Sequence, residues 1–218
     1  MWKNRNELIW QQRSREHTDL VQSAFSVLNQ WKSVQDRTFD RFLGHMTNED
    51  GAEHWSSPMP GRVKVNTDAA VFEDTTCFSY AFVARDQEGV LIEARSRCSF
   101  GRPDPELAEA MGIREALTWI KNFSYANVTV ESDCLQVVQA IRSSFLYYSY
   151  LGRVIKECRV LLASLESKSI KLIFVKRSAN NIAHYLAKHN CSIADRRWRV
   201  GDIHPELHYV LLNDLSNE

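Results

Sequence analysis

The sequence predicts an α/β fold, a mixed sheet flanked by helices, with an N-terminal helical extension. Three observations predict it. Residues 62–97 contain three strand-like runs separated by turn residues, helix and strand patterns alternate from Asp104 onward, and the first 32 residues contain no Gly or Pro. A meander of adjacent strands followed by alternating helices and strands is the pattern of a mixed sheet with helices packed against it.

Within the first segment, 1–46, Leu8, Ile9, Leu20, Val21, Ala24, Phe25, Leu28 and Trp31 recur at mostly helical intervals, so one or two helices are expected. From Thr47 the composition shifts to Asn, Gly and Ser with Pro58 and Pro60, which reads as a linker over 47–60. Arg62 to Asp68 alternates, with Val63, Val65 and Thr67 on one face and Lys64, Asn66 and Asp68 on the other. Cys77 to Arg85 is aromatic and apolar, Asp86-Gln-Glu-Gly89 is a turn, and Val90 to Arg97 returns as a partner strand.

Asp104-Pro105 then marks a helix start, with Leu107, Ala110, Ile113, Leu117 and Ile120 as the apolar stripe. Asn127 to Asp133 is a strand, Leu135 to Ile141 a short helix, and the stripe from Leu151 to Leu165 a longer helix. Ser169 to Val175 is a fifth strand, and Asn180 caps a last helix to Asn190. The domain is bounded at 61–191, leaving a basic, helical tail at 192–218.

Lys+Arg and Asp+Glu each number 27 in the 218 residues, so net charge says nothing about a polyanionic partner. The five cysteines are scattered, with no C-x-x-C, which fits a reducing compartment better than a disulfide framework. No apolar run reaches membrane-spanning length, and no secretory leader is visible. An intracellular protein, nuclear or cytoplasmic and without a membrane partner, is expected; its protein partners are left unknown.

Asp68 ends the first predicted strand, Asp133 ends the fourth, and Glu109 lies in the second turn of the helix between them. Grouped carboxylates repel and raise one another's pKa, whereas a divalent cation offsets that repulsion. Mg²⁺ prefers such oxygens, and two ions roughly 4 Å apart can activate water and stabilise a leaving oxygen. Singly, each acid is more simply a turn, cap or solvated residue.

Their order and setting add a resemblance. Lys64-Val-Asn-Thr-Asp68-Ala-Ala, Ala108-Glu109-Ala110, Glu131-Ser-Asp133-Cys134 and Arg177-Ser-Ala-Asn-Asn-Ile-Ala-His184-Tyr-Leu-Ala187 resemble the ribonuclease H domain of plants. More narrowly, they resemble that of plant non-LTR retroelement proteins and their domesticated relatives. The resemblance runs from Trp55 to Cys191. It implies a ribonuclease H-like fold with a five-stranded mixed sheet whose first three strands are antiparallel. It implies Asp68, Glu109 and Asp133 as catalytic metal ligands for Mg²⁺, and hydrolysis of the RNA strand of an RNA–DNA hybrid. Asn66, Arg177 and Asn180 become the candidates for contact with the nucleic acid, and for Asn66 the simpler expectation is pairing with a neighbouring strand or turn.

The chain departs from many relatives at three places. His184 stands where an aspartate is common; it is carried as a fourth catalytic position, and imidazole suits Mn²⁺ better than Mg²⁺. Ala69 replaces a glycine, and the segment before the last helix has no room for a His-bearing loop. Between Lys171 and Arg199 there are seven Lys/Arg and one acid, with Trp198 among three arginines, a run that can bind phosphates or form a solvated face. His184, His189 and Cys191 lack a spaced fourth zinc ligand. Two alternatives stay open: a catalytically weakened nucleic-acid-binding module, and a protein-interaction domain using the N-terminal helices.

Overall fold

The computed structural model describes Val21 and residues 46–189, 195–199 and 205–216. Apart from Val21, the helices expected in 1–46 lie outside the described residues, as does the end of the last predicted helix at Asn190.

Strands β1 (Val63–Val71), β2 (Cys77–Arg85) and β3 (Leu91–Phe100) form the expected antiparallel meander. Helix α1 (Pro105–Lys121) returns the chain to β4 (Asn127–Ser132), which pairs parallel to β1. Helices α2 (Leu135–Arg142) and α3 (Tyr150–Ser164) lead to β5 (Ser169–Phe174), parallel to β4. After α4 (Asn181–Lys188), strand β6 (Arg196–Arg199) adds antiparallel to β3, and α5 (Pro205–Ser216) follows. The strand order is β5-β4-β1-β2-β3-β6. None of the described helices is long and apolar enough to cross a membrane.

Alternate residues of β2 explain why helices cover both faces, since successive side chains of a strand point to opposite sides. Ala81 and Val83 pack with Ile182 and Leu186 of α4 and Leu207 and Leu211 of α5. Tyr80 packs with Ala108 of α1, and Phe82 meets Trp119 with ring centroids 5.4 Å apart. An aromatic pair of this kind adds about 0.5–1.5 kcal/mol to the burial itself.

The sheet has six strands, one more than expected. The sixth hides inside the basic run, where charge masks a period-two pattern. Arg197 and Arg199 reach Glu93 of β3 at 2.6 and 3.3 Å, with Glu93 only 2% exposed, while Trp198 packs on the core. Burial pushes the Glu93 carboxyl up, but hydrogen bonds from Arg197 and Arg95 outweigh it and the net shift is downward.

The segment read as a linker, 47–60, is part of the fold. Asp50 accepts from both terminal nitrogens of Arg142 at 2.7 and 2.9 Å and from the Phe174 N–H at 2.7 Å. Gly51 N–H donates to Phe174 O, Lys176 N–H donates to Ala52 O, and Ala52 forms a parallel bridge with Val175. This strap pairs with the C-terminal end of the β5 edge, whose backbone groups would otherwise stay unpaired there. Trp55 beyond it is buried. Composition alone missed it, because Gly and Ser describe a loop without saying whether one Trp and one Asp anchor it.

Burial pushes the Asp50 carboxyl up, but Arg142 and the N–H groups of Thr47 and Phe174 outweigh it and hold the group far below the usual carboxylate range. A depressed folded pKa stabilises fully above the ordinary value of 3.8 and is lost as pH falls below it. Asp50→Asn is expected to lose about 2 kcal/mol of stability at pH 7. In urea melts as a function of pH, the gap between parent and variant should begin to narrow below pH ~4 and shrink steadily as the pH falls further.

Candidate metal centre

The site begins with register. β1 and β4 run parallel with Thr67 opposite Ser132, so the next residue of each chain, Asp68 and Asp133, comes to the same level on neighbouring strands. Asp68 does not end its strand as expected. β1 continues to Val71, which leaves Asp68 within it at 0% exposure, and Asp133 directly follows β4. Helix α1 crosses over β1 and brings Glu109 down from its second turn. Gly112, three residues on, faces β1 and β2, where a Cβ would stand 3.4 Å from Asp68 O, an ordinary van der Waals contact.

One oxygen from each of Asp68, Glu109 and Asp133 lies within 4.8 Å of the other two. Asp68 Oδ1 and Glu109 Oε2 are buried and accept no hydrogen bond from the described residues. Leaving carboxylate oxygens dry and unmatched is costly, and a hard divalent cation is the partner such a donor set fits. Burial, then the charges of Asp68 and Asp133, push the Glu109 carboxyl well above its usual range, and the Ala69 N–H opposes them only in part. Burial and Asp68 likewise raise Asp133 against the pull of Arg177.

Arg177 and His184 close the rim. Arg177 Nη1 lies 2.7 Å from Asp133 Oδ2 and 3.5 Å from Asp68 Oδ1. His184 Nδ1 is 2.7 Å from Asp68 Oδ2 and 2.6 Å from Arg177 Nη2. Arginine only donates and an ionised aspartate only accepts, so Nδ1 can serve one of them at a time. Cys134, beside the site, has its thiol pushed up to about 12 by burial and by Glu109, which makes it no nucleophile near neutrality.

The three candidate nucleic-acid contacts separate. Asn66 and Asn180 are both 0% exposed. Asn180 Nδ2 donates to Thr67 O at 2.9 Å and Asp133 Oδ1 at 3.1 Å, and its oxygen accepts from Asn66 at 3.2 Å. It occupies the N-cap position of α4 without making a side-chain cap bond, contrary to expectation. Asn66 also donates to Glu131 Oε2 at 2.8 Å and accepts from Trp55 and Arg85. Both asparagines therefore brace the site from inside, and of the three only Arg177, with a side chain 53% exposed, reaches the surface. Trp55 and Arg85 were not singled out from sequence; the only hint was an unexplained Trp in a Ser/Pro-rich stretch.

Residues 66–190, more than half of the chain, match the family model described as reverse transcriptase-like. The chain belongs to this family. No curated protein matches it. Among solved structures, it is similar to the RNase H1 of the halophilic archaeon Halobacterium salinarum NRC-1, at 21% identity over 58% of this chain and 95% of that one, with a TM-score of 0.51. It is also similar to the N-terminal RNase H domain of a Mycobacterium tuberculosis protein, solved as a maltose-binding protein fusion, at 18% identity, 58% and 91% coverage and a TM-score of 0.52. The fold of this reverse transcriptase-like chain is that of ribonuclease H.

Because the folded Glu109 carboxyl titrates above its usual 4.5, the fold is favoured while it is protonated and loses stability as pH rises through the raised value. Glu109→Gln is thus expected to melt about 2–4 °C higher than the parent at pH 8 without added metal. Below pH 4.5 the difference should vanish. Mn²⁺ should raise the melting temperature of the parent and leave that of the variant unchanged.

Proposed function

We propose that the chain is a metal-dependent endonuclease that hydrolyses the RNA strand of RNA–DNA hybrids. The observation that carries this reading is the convergence of Asp68, Glu109 and Asp133 within 4.8 Å. Two of their buried oxygens have no hydrogen-bond partner among the described residues. These three residues would hold Mg²⁺ or Mn²⁺. Such an ion, when bound, supplies an activated water and charge stabilisation at the leaving oxygen.

The chain's own residues do the rest. Asn180 fixes one oxygen of Asp133, which turns the other outward to the rim. Arg177 stands at the mouth, half exposed, where a phosphate would approach. Arg197 and Arg199 are engaged with Glu93, so the basic run offers less free charge than its composition suggests. A hybrid would be read by backbone, 2′-hydroxyls and groove shape, with little sequence preference.

His184 supplies the fourth corner. An imidazole beside Asp68 leaves three acidic ligands instead of four and favours Mn²⁺ over Mg²⁺. The contacts of Arg177 and His184 with the acids also favour a second reading, a weakened module that binds nucleic acid without cutting it. The interaction-domain alternative rests on the helices expected in 1–46, which apart from Val21 lie outside the described residues. The narrower kinship with plant retroelement proteins, and an intracellular site of action, rest on the motifs and composition alone.

A labelled hybrid incubated in Mg²⁺ and in Mn²⁺, with Asp68→Asn alongside, tests the reading. Cleavage by the parent, faster in Mn²⁺, and at least 100-fold less by the variant is expected. Salt-sensitive binding without cleavage in either metal would leave the binding module standing. His184→Asp is expected to raise Mg²⁺-supported cleavage about tenfold and to narrow the gap between the two metals.

A further inference from the structure

We propose that Trp55 and Asp214, which flank the matched region 66–190 on either side, are positioning residues for the acid site. The proposal rests on reading Asp68, Glu109 and Asp133 as a metal-holding site. The path runs through fully buried groups whose hydrogen-bonding roles leave no choice.

Arg85 is 0% exposed. Its guanidinium lies 3.4 Å from the centroid of the Trp55 ring, donates through Nη1 to Asp214 Oδ2 at 3.2 Å and through Nη2 to Asn66 Oδ1 at 3.1 Å. Trp55 Nε1 donates to the same Asn66 oxygen at 3.0 Å. An indole and a guanidinium can only donate, so both force the Asn66 amide to present its oxygen to them. Its NH₂ must then face the other way, toward Glu131 Oε2 and Asn180 Oδ1.

That assignment forces the next. With its oxygen receiving Asn66, Asn180 turns its NH₂ toward Thr67 O and Asp133 Oδ1. One oxygen of Asp133 is thereby pinned from inside and the other left at the rim. A flipped Asn66 would set the wrong polarity along the whole series and bring the Asn180 oxygen against the Asp133 carboxylate. Asp214, itself buried, supplies the counter-charge that makes a buried Arg85 tolerable. Trp55 follows the strap anchored by Asp50, and Asp214 belongs to α5. Segments before and after the matched region thus set the orientation of one acid in the centre.

Trp55→Phe removes the N–H while keeping a ring for Arg85, and Asp214→Asn removes the counter-charge at constant shape. Mn²⁺ affinity would be measured by calorimetry on the full metal-free chain without substrate. Trp55→Phe is expected to weaken it roughly threefold to tenfold, and Asp214→Asn in the same direction. Both effects should fall below the 10–100-fold of a group that touches a ligand directly. Trp119→Phe is the control. Its indole N–H is buried without a partner among the described residues, so affinity should equal that of the parent whatever the variant's melting temperature. Parent-like Mn²⁺ binding by Trp55→Phe would overturn the proposal. If the parent itself binds no Mn²⁺, the metal reading fails, and the relay is judged by the side-chain amide resonances of Asn180 in the metal-free chain. They should shift in Trp55→Phe; unmoved resonances would reject the relay as well.

Discussion

The parallel pairing of β1 with β4 is the constraint on which the site depends. Backbone hydrogen bonds hold Thr67 opposite Ser132, and with that register fixed two aspartates must lie side by side however strongly they repel. No side-chain preference would bring Asp68 and Asp133 together; the sheet does it, and the central place of β1 between β4 and β2 makes the register hard to slip. Everything else answers this imposed juxtaposition. Helix α1 packs over β1 and brings Glu109 to join the two aspartates, which adds a third carboxyl, and Arg177, His184 and Asn180 arrive from the turn and helix after β5 to meet the charge at the rim and underneath.

The interior of β1 departs from the binary pattern that stabilises an ordinary central strand. Asn66, Thr67 and Asp68 are three consecutive polar residues at 0% exposure, and departures of this kind concentrate where function overrides stability. The exchange is nearly complete. Asn66 is matched on its donor and acceptor sides, Thr67 Oγ1 donates to Glu131 O at 3.2 Å, and the Glu131 carboxylate, which burial raises, is countered by Lys64 at 3.0 Å. At the acid site itself, the oxygens left without a hydrogen bond among the described residues are Asp68 Oδ1 and Glu109 Oε2. Two such buried carboxylate oxygens in one acidic cluster are a donor set that a divalent cation would fit.

Much of this was legible in the sequence, for identifiable reasons. The meander, the alternating helices and the three acids follow from short-range signals: period two, period 3.6 and turn residues. What escaped depended on which distant group answers a residue. Asn180 looked like a helix cap because Asn before a helix usually is one, yet Asp133 and Thr67 O compete successfully for its amide. Alternation places Asn66 beside Asp68, and the simpler expectation, pairing with a neighbouring strand, holds through Glu131; alternation cannot say that Trp55 and Arg85 also lie over it. The arginines of β6 read as surface charge, since nothing local reveals a buried Glu93 waiting on β3. The strap read as a linker for the same reason, its anchor being Arg142 some 92 positions away in sequence.

Charge balance explains why the fold and the chemistry make opposite demands at this centre. An aspartate at position 184 would place a fourth carboxylate against Asp68, deepening the repulsion that already raises Glu109 and Asp133. A histidine there can donate a hydrogen bond to Asp68 over 2.7 Å without adding negative charge. The metal-free fold gains from that exchange, while the attraction for a hard cation is reduced by one anionic ligand. Arg177 acts in the same sense on Asp133. Neither residue touches the orphaned oxygen of Glu109, the most deeply raised of the acids, so the protein relieves two corners of the triad and leaves the third to be neutralised by a proton or by a metal. The rim contacts thereby ease Asp68 and Asp133, and the carboxyl they leave unanswered is Glu109, on the helix side of the site.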